Sequence, residues 1–357
     1  MTIKNPQHPQ EITPEWLTFA LRSGGVIKNA SVKYLKREII GTDRGFLSSA
    51  VRVNIEYDSV ERGAPDSVVV KIEPESKKLQ DIGYQLHAFE REILFYKVVS
   101  QNVPIRLPVL YYSVDEPPAY CMVMEDLSSF TPGDQVEGMT EDQVLSTVES
   151  MAKLQSRYWD NTALDTIEWM PTTNNIYADF EENWGSVVEH FGIMIDPDIL
   201  KMGKKLGLSV SWLEEEISKR PKTIVHSDLK EDNLLFGNPN SDEAVLIIDW
   251  QTAIRSMGAF DVAYLMGGSE IVSELRVHHF DVLSRWHNTL LTEGVENYSW
   301  EDAVRDLKLG ALASVCFRVR FHKAFIGAKG RSLDRLIVIF NRLSTLILEV
   351  DAVSVLP

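Results

Sequence analysis

The hydrophobic and polar positions of this chain fall into two textures. Between residues 32 and 127 the apolar residues come in short, strand-length runs. These are "VKYLKREIIG" (32–41), "SAVRVNIEY" (49–57), "SVVVKIE" (67–73), "LPVLYYSV" (107–114) and "AYCMVMEDL" (119–127). Breaks such as "ERGAPD" and "DEPP" separate them, as turns do. One run, "QLHAFEREILFYKVVS" (85–100), spaces its apolar residues as a helix does. Ahead of the strands, "TPEWLTFALRSGG" (13–25) predicts a capped helix: Thr13 caps it, Pro14 suits its first position and Gly24-Gly25 ends it. Residues 1–127 thus predict an antiparallel sheet with one helix inserted after the third strand.

After "MEDL" helical spacing takes over. "TEDQVLSTVESMAKLQSRYW" (140–159) opens on a capping box, Thr140 with Gln143. An aromatic-rich stretch, 160–211, holds Trp169, Tyr177, Trp184 and Phe191, and a helix follows around 208–219. "EAVLIIDWQTA" (243–253) predicts a short strand pair, and helices dominate from 259 to 350. The pattern predicts an α+β chain. Its small antiparallel β lobe is residues 1–127, and its larger, mainly helical lobe is residues 128–357 with a helical insert at 160–211.

Composition narrows the function classes. The 357 residues are 44% hydrophobic, enough for a sizeable core, and 25% charged, which is ordinary. The longest apolar stretch, "LGALASVCF" (309–317), is far shorter than a spanning helix, and "MTIKNPQHPQ" has no secretory apolar region. Cys121 and Cys316 lie in apolar surroundings and are too few for a disulfide framework, so the expected compartment is the cytoplasm. A net charge of −16 argues against nucleic acid or an anionic membrane as partner.

"VHSDLKEDNLLFG" (225–237) follows neither a helical nor a strand period. It sets His226, Asp228, Lys230 and Asn233 in one short stretch framed by apolar residues. Transfer of a γ-phosphoryl group needs positioning and charge neutralisation more than covalent help. Each part has a candidate, in a workable order. "GTDRGFLSS" (41–49) lies between two strands, and Gly41, Gly45 and Ser48 offer a phosphate cover. Lys71, a lone lysine in an apolar strand, needs a charged partner. Glu92 is the proposed partner because it directly precedes the apolar "ILFY", and Glu90 is the alternative.

Asp228 is placed to accept or orient the acceptor hydroxyl proton. Asn233, five residues on, offers an amide oxygen to Mg²⁺, and Asp249, at the end of an apolar strand, offers a carboxylate. One Asn and one Asp suit magnesium, which keeps phosphate and water oxygens as its other ligands. His226 reads as a brace for the loop. Lys230 has two readings, a γ-phosphate contact or a solvated loop lysine.

At this point the residues resemble a known set. H-x-D-x-x-x-x-N followed by an apolar strand ending in Asp is similar to the signature of protein kinases and of the aminoglycoside phosphotransferase and choline kinase group. "EREILFY", "VMEDL" and "IDWQ" are most similar to the ecdysteroid kinase-like branch. The resemblance runs from about residue 30 to 340. Its implied fold is the bilobal protein-kinase-like one, and its implied function is ATP- and Mg²⁺-dependent phosphorylation of a small-molecule hydroxyl.

It further implies that the adenine meets backbone at Glu125 and Leu127 and that Asp261 ties down the catalytic loop. The acceptor would sit between that loop and the 160–211 insert. Two positions depart from the group: Ser227 replaces the usual Gly, and Lys230 the usual His or aromatic. Two alternatives stand beside this reading, a nucleotide-binding pseudokinase and a protein kinase. The dozen residues from Asp249 to Asp261 leave no room for a long activation segment. The sequence names neither the acceptor nor the oligomeric state.

Overall fold

The computed structural model describes residues 4–41, 48–117, 119–239, 244–268 and 279–357. It divides into two compact units. The first comprises the described residues of Met1–Val103, Leu107–Phe130 and Ile248–Thr252; the second comprises those of Pro104–Arg106, Thr131–Ile247 and Ala253–Pro357.

The first unit is built on a five-stranded antiparallel sheet. In chain order it holds α1 (Pro14–Ser23), β1 (Val32–Ile40), β2 (Ser49–Tyr57), β3 (Ser67–Ile72), α2 (Lys77–Gln85), α3 (Ala88–Leu94), β4 (Leu110–Val114) and β5 (Cys121–Glu125). The strand order is β1-β2-β3-β5-β4. Helix α1 starts as its sequence requires, with the Thr13 side chain accepting from the Trp16 amide and Pro14 next. Its buried residues Trp16, Leu17, Ala20 and Leu21 pack with Val51, Val53, Val68, Val70 and Ile72 in one core. Strand β3 alternates strictly, with Val68, Val70 and Ile72 buried in that core. A period of two therefore sends Lys71 to the opposite face.

Where one helix is expected after β3, two short ones occur. His87 between them adopts φ 52°, a left-handed conformation that ends one helix and re-aims the chain into the next. Beyond Leu94 the coil loosens into a π-turn at Phe95–Val99.

The second unit is mainly helical. It holds β6 (Thr131–Pro132), α4 (Glu141–Arg157), α5 (Phe180–Phe191), α6 (Pro197–Ser218), β7 (Lys222–Val225), β8 (Leu234–Phe236), β9 (Val245–Ile247), β10 (Ile254–Met257), α7 (Ala259–Met266), α8 (His279–Thr292), α9 (Trp300–Phe321) and α10 (Arg331–Glu349). Two small sheets, β6-β8-β9 and β10-β7, frame the loop at 226–233. Both halves of the Thr140–Gln143 capping box form at the start of α4. Helix α6 is longer than its expected 208–219 core, because Asp196 caps it and Pro197 starts it well upstream. The strand pair expected at 243–253 is one strand, β9, followed by a 3-10 turn at Trp250–Thr252. No helix among the described residues is long and apolar enough to cross a membrane.

Candidate active site

The first unit gathers a charged cluster on the sheet face opposite α1. Lys71 Nζ lies 2.6 Å and 2.8 Å from the two carboxylate oxygens of Glu92, and 3.4 Å from Asp249 Oδ1. Glu92 is thus the partner. Glu90 faces outward, where it lies 3.4 Å from His87. β3 is an interior strand, paired with β2 and β5, so Lys71 is no edge lysine turned to water. Its side chain is 15% exposed and that of Glu92 only 2%.

Burial works against the Lys71 ammonium, but Asp249 and Glu92 outweigh it and hold the lysine in its charged form. Glu92 is pushed up, by burial first and offset in part by Lys71. One cation serves two carboxylates here, so a further cation at Asp249 would relieve the excess negative charge.

Three consecutive residues build this cluster from 248–252. Asp249, at φ 67°, reaches Lys71. Trp250 stacks on Phe95, ring centroids 3.9 Å apart and 8° from parallel. Gln251 donates to Glu92 Oε2 at 3.1 Å. The left-handed backbone at Asp249 costs about 1 kcal/mol for a residue with a Cβ. It turns the carboxylate toward the lysine while the next two side chains grip the helical segment that carries Glu92. Ser48 joins Lys71, Glu92 and Gln251 around a small recess of about 10 Å³. Gly41 adopts φ 68° at the end of β1, whereas Gly45 lies outside the described residues.

The segment after β5 is fixed by a residue the sequence reading passed over. Asp126 accepts from Ser67 Oγ at 2.7 Å, Arg52 Nε at 3.2 Å and the Ser128 amide at 3.1 Å. Burial raises its carboxyl, but Ser67 and Arg52 outweigh that and keep it ionised. Glu125 is locked beside Val109: its amide donates to the Val109 carbonyl at 2.9 Å, and its Oε2 accepts from the Val109 amide at 3.1 Å. The Leu127 carbonyl closes a turn with the Phe130 amide at 3.0 Å.

The second unit holds the loop between β7 and β8. Asp261, in the first turn of α7, accepts from the His226 amide at 2.8 Å and the Ser227 amide at 2.9 Å. Its carboxyl is fully buried and pushed up to about 7 by that burial. The imidazole of His226 accepts from the Asp228 amide through Nδ1 at 3.3 Å, so it braces the loop from within. Ser227 adopts φ 62°, the conformation for which glycine is better suited. Its Oγ accepts from Asn174 Nδ2 at 2.9 Å, a bond that glycine could not make.

Asp228 is held at both oxygens. Oδ2 accepts from Lys230 Nζ at 2.6 Å and from Asn233 Nδ2 at 3.2 Å; Oδ1 accepts from Tyr264 Oη at 2.9 Å. Burial raises this carboxyl, but the Lys230 charge and hydrogen bond, with His226 and Tyr264, hold it below the ordinary carboxylate value. Lys230, 13% exposed, is not a solvated loop lysine: it is the counter-ion of Asp228. Asn233 spends its amide hydrogens on Asp228, donating to its backbone carbonyl at 2.9 Å as well. That fixes the orientation of the amide and turns Oδ1 away as an oxygen donor.

The rest of the loop is anchored from far along the chain. Arg335 of α10 pairs with Asp232 at 3.0 Å, and Arg342 of α10 lies 3.6 Å from Glu231. Gly133 lets the chain lie directly against the loop, because a Cβ there would overlap the Glu231 carbonyl. The aromatic insert is largely core: Trp184 and Phe191 are buried, and Phe180 stacks beside Trp184. Trp184 and Phe191 also line an apolar cavity of about 60 Å³ with Val315, Leu336 and Phe340.

Asn233 Oδ1 and the Asp249 carboxylate are hard oxygen donors, which fit magnesium rather than a soft metal. No group of three or more His, Cys, Asp or Glu that could hold a metal occurs among the described residues.

Known proteins match this chain at several levels. Residues 43–157 match the model of the Ecdysteroid kinase-like family. Residues 209–311 match a second family model, described as uncharacterized oxidoreductase dhs-27. Over 93 residues the chain is 28% identical to an uncharacterized protein of Metamycoplasma hominis, a match covering 26% of this chain and 17% of that protein. The chain therefore spans less than a fifth of the length of that curated relative.

Among solved structures, choline kinase from Cryptosporidium parvum superposes with a TM-score of 0.53 at 13% identity, covering 88% of this chain and 89% of that one. The GDP and kanamycin complex of the aminoglycoside phosphotransferase APH(2″)-IIIa gives a TM-score of 0.55 at 16% identity, covering 93% and 98%. The α+β architecture, an antiparallel-sheet unit and a mainly helical unit, is this kinase-like fold. The likeness to the aminoglycoside phosphotransferase and choline kinase group thus holds in the fold, and the likeness to the Ecdysteroid kinase-like family is confined to residues 43–157.

Proposed function

We propose that this chain transfers the γ-phosphoryl group of ATP to a hydroxyl of a small molecule. One observation carries the reading. A single tight loop presents a carboxylate held ionised by an adjacent lysine and an asparagine whose amide hydrogens are already spent on that carboxylate. Asp228 orients the acceptor hydroxyl and takes its proton. Lys230 keeps Asp228 ionised and is close to where charge develops. In the first unit, Glu92 holds Lys71 as the phosphate-binding cation, with Gly41, Gly45 and Ser48 in the phosphate cover. Backbone at Glu125 and Leu127 receives the adenine, on a segment that Asp126 fixes.

Asn233 and Asp249 are the proposed magnesium ligands. When bound, ATP–Mg²⁺ supplies the phosphoryl group and the charge that neutralises it. Residues 1–127 form the proposed nucleotide-phosphate lobe and 128–357 the lobe with the catalytic loop and acceptor site, in a cytoplasmic enzyme.

A protein-kinase reading is disfavoured because the stretch after Asp249 is used up by a short turn and by β10, which pairs with β7. An oxidoreductase reading of the second half lacks support, since residues 209–311 contain no G-x-G-x-x-G dinucleotide turn. The test is ATP consumption with magnesium over a panel of aminoglycosides, choline-like amines, steroids, macrolides and sugar derivatives, beside protein acceptors. Acceptor-stimulated ADP release is expected from the wild type and should fall at least ~100-fold in Asp228→Asn. Absence of Mg²⁺-dependent nucleotide binding in the wild type would overturn the reading. Binding without turnover on any acceptor would leave a pseudokinase.

A further inference from the structure

We infer that Tyr264, held in place by Arg318, is a positioning residue for Asp228 and leaves Oδ1 as the oxygen that receives the acceptor's proton. The inference rests on the reading of Asp228 as the base. It starts from the unequal surroundings of the two carboxylate oxygens. Oδ2 accepts two donors, Lys230 Nζ and Asn233 Nδ2, whereas Oδ1 accepts one, Tyr264 Oη. A carboxylate oxygen has two lone-pair sites. Oδ2 is therefore filled, and Oδ1 keeps one site for a hydroxyl. Tyr264 fixes the rotation of the carboxylate, which decides where that site points.

Tyr264 is itself tightly held. It is 6% exposed on α7, its ring stacks beside Phe260 and meets Phe317 edge-on at 5.2 Å between centroids. The Arg318 guanidinium lies over the ring, 4.4 Å from its centroid, and donates to the Tyr264 carbonyl at 3.4 Å and to the Ser314 carbonyl at 3.2 Å. The half-buried guanidinium thus sets its charge on the Tyr264 ring, within electrostatic reach of Asp228 and Glu231. Here it lies over the phenol that bonds Asp228, where it strengthens the phenol as a donor. Burial first, and then the charge of Asp228, push the Tyr264 phenol well above its ordinary value, so it stays protonated and can only donate.

The test is a crystal structure of each variant beside steady-state kinetics. In Tyr264→Phe the Asp228 carboxylate should turn about its Cβ–Cγ bond, because the donor to Oδ1 is lost. Arg318→Met should loosen the Tyr264 ring and turn the carboxylate by less, and serves where Tyr264→Phe folds poorly. Steady-state hydrolysis of Mg²⁺·ATP, with water as acceptor, should show kcat falling about ten-fold in Tyr264→Phe with KM for ATP unchanged. An Asp228 carboxylate unmoved in both variants overturns the inference. The structures need no turnover, so the two readings fail separately. A turned carboxylate with an inactive wild type would sink the enzymatic reading alone. An unmoved carboxylate with an active wild type would sink the role of Tyr264 alone.

Discussion

Replacing Glu92 by Gln tests the charged cluster of the first unit with an almost isosteric change. In the wild type, the Lys71 ammonium makes two short contacts with Glu92 and a longer one with Asp249 at 3.4 Å. Both members of the main pair are nearly buried, so solvent screens them little. Breaking a buried pair by removing one charge costs about 3–5 kcal/mol. Asp249 stays as a second partner, which brings the expected loss down to about 2–3 kcal/mol.

For a domain of this size that corresponds to a fall in Tm on the order of 5–10 °C, read by calorimetry or dye-based melting. Glu90→Gln is the internal control. Its partner His87 lies 3.4 Å away and both side chains are exposed, 72% and 41%, so a loss below ~0.5 kcal/mol is expected. A Glu92→Gln protein melting within about 2 °C of the wild type, or a Glu90→Gln loss of equal size, would refute the assignment of Glu92 as the partner.

Asp261 predicts a pH dependence. Its carboxyl is raised to about 7 in the folded chain, so the stability it contributes is full below the ordinary aspartate range and is lost as pH rises through about 7. Melting of the wild type should weaken across that window relative to Asp261→Asn, and parallel profiles would refute the buried-carboxyl account. At Ser227 the order of variants is the test. Gly relieves the left-handed strain but loses the Asn174 bond, so Ser227→Gly should stay within ~1 kcal/mol of wild type in urea unfolding, while Ser227→Ala keeps the strain and should lose about 1–2 kcal/mol. An Ala variant as stable as Gly would count against it. Asp126→Ala should weaken Mg²⁺·ATP binding about ten-fold in titration calorimetry, because the segment after β5 loses its bonds to Ser67, Arg52 and Ser128. Undiminished affinity would detach that segment from the nucleotide.

What could be read from the chain was whatever local chemistry encodes. The Thr13 and Thr140 caps, the strict alternation of β3 and the helical spacing of "EREIL" are signals within a few residues, and each formed where expected. The loop at 226–233 was visible because its polar residues violate both periods. Residues that act through distant partners left no such mark. Tyr264 reaches Asp228 across 36 positions, and Asp126 reaches Arg52 across 74. Arg335 and Arg342 look like ordinary helix-face charges in sequence, yet they pair with Asp232 and Glu231. The split between α2 and α3 was hidden because His87 carries no turn signature and takes its left-handed conformation all the same. At Ser227 the sequence shows only the departure from Gly; the left-handed backbone and the bond from Asn174, 53 positions away, are seen in the structure alone.

The membership of Ile248–Thr252 in the first unit bears on how the protein is made. Synthesis proceeds from the amino end, so a nascent chain stopped at Phe130 has its whole five-stranded sheet but no Asp249 for Lys71, no Trp250 for Phe95 and no Gln251 for Glu92. The amino-terminal unit is finished only when residue 252 of 357 has emerged, with about half of the second unit already extruded. Its maturation on the ribosome is therefore late and long-range, and a stand-alone gene fragment ending near residue 130 should yield a loosened, protease-sensitive product.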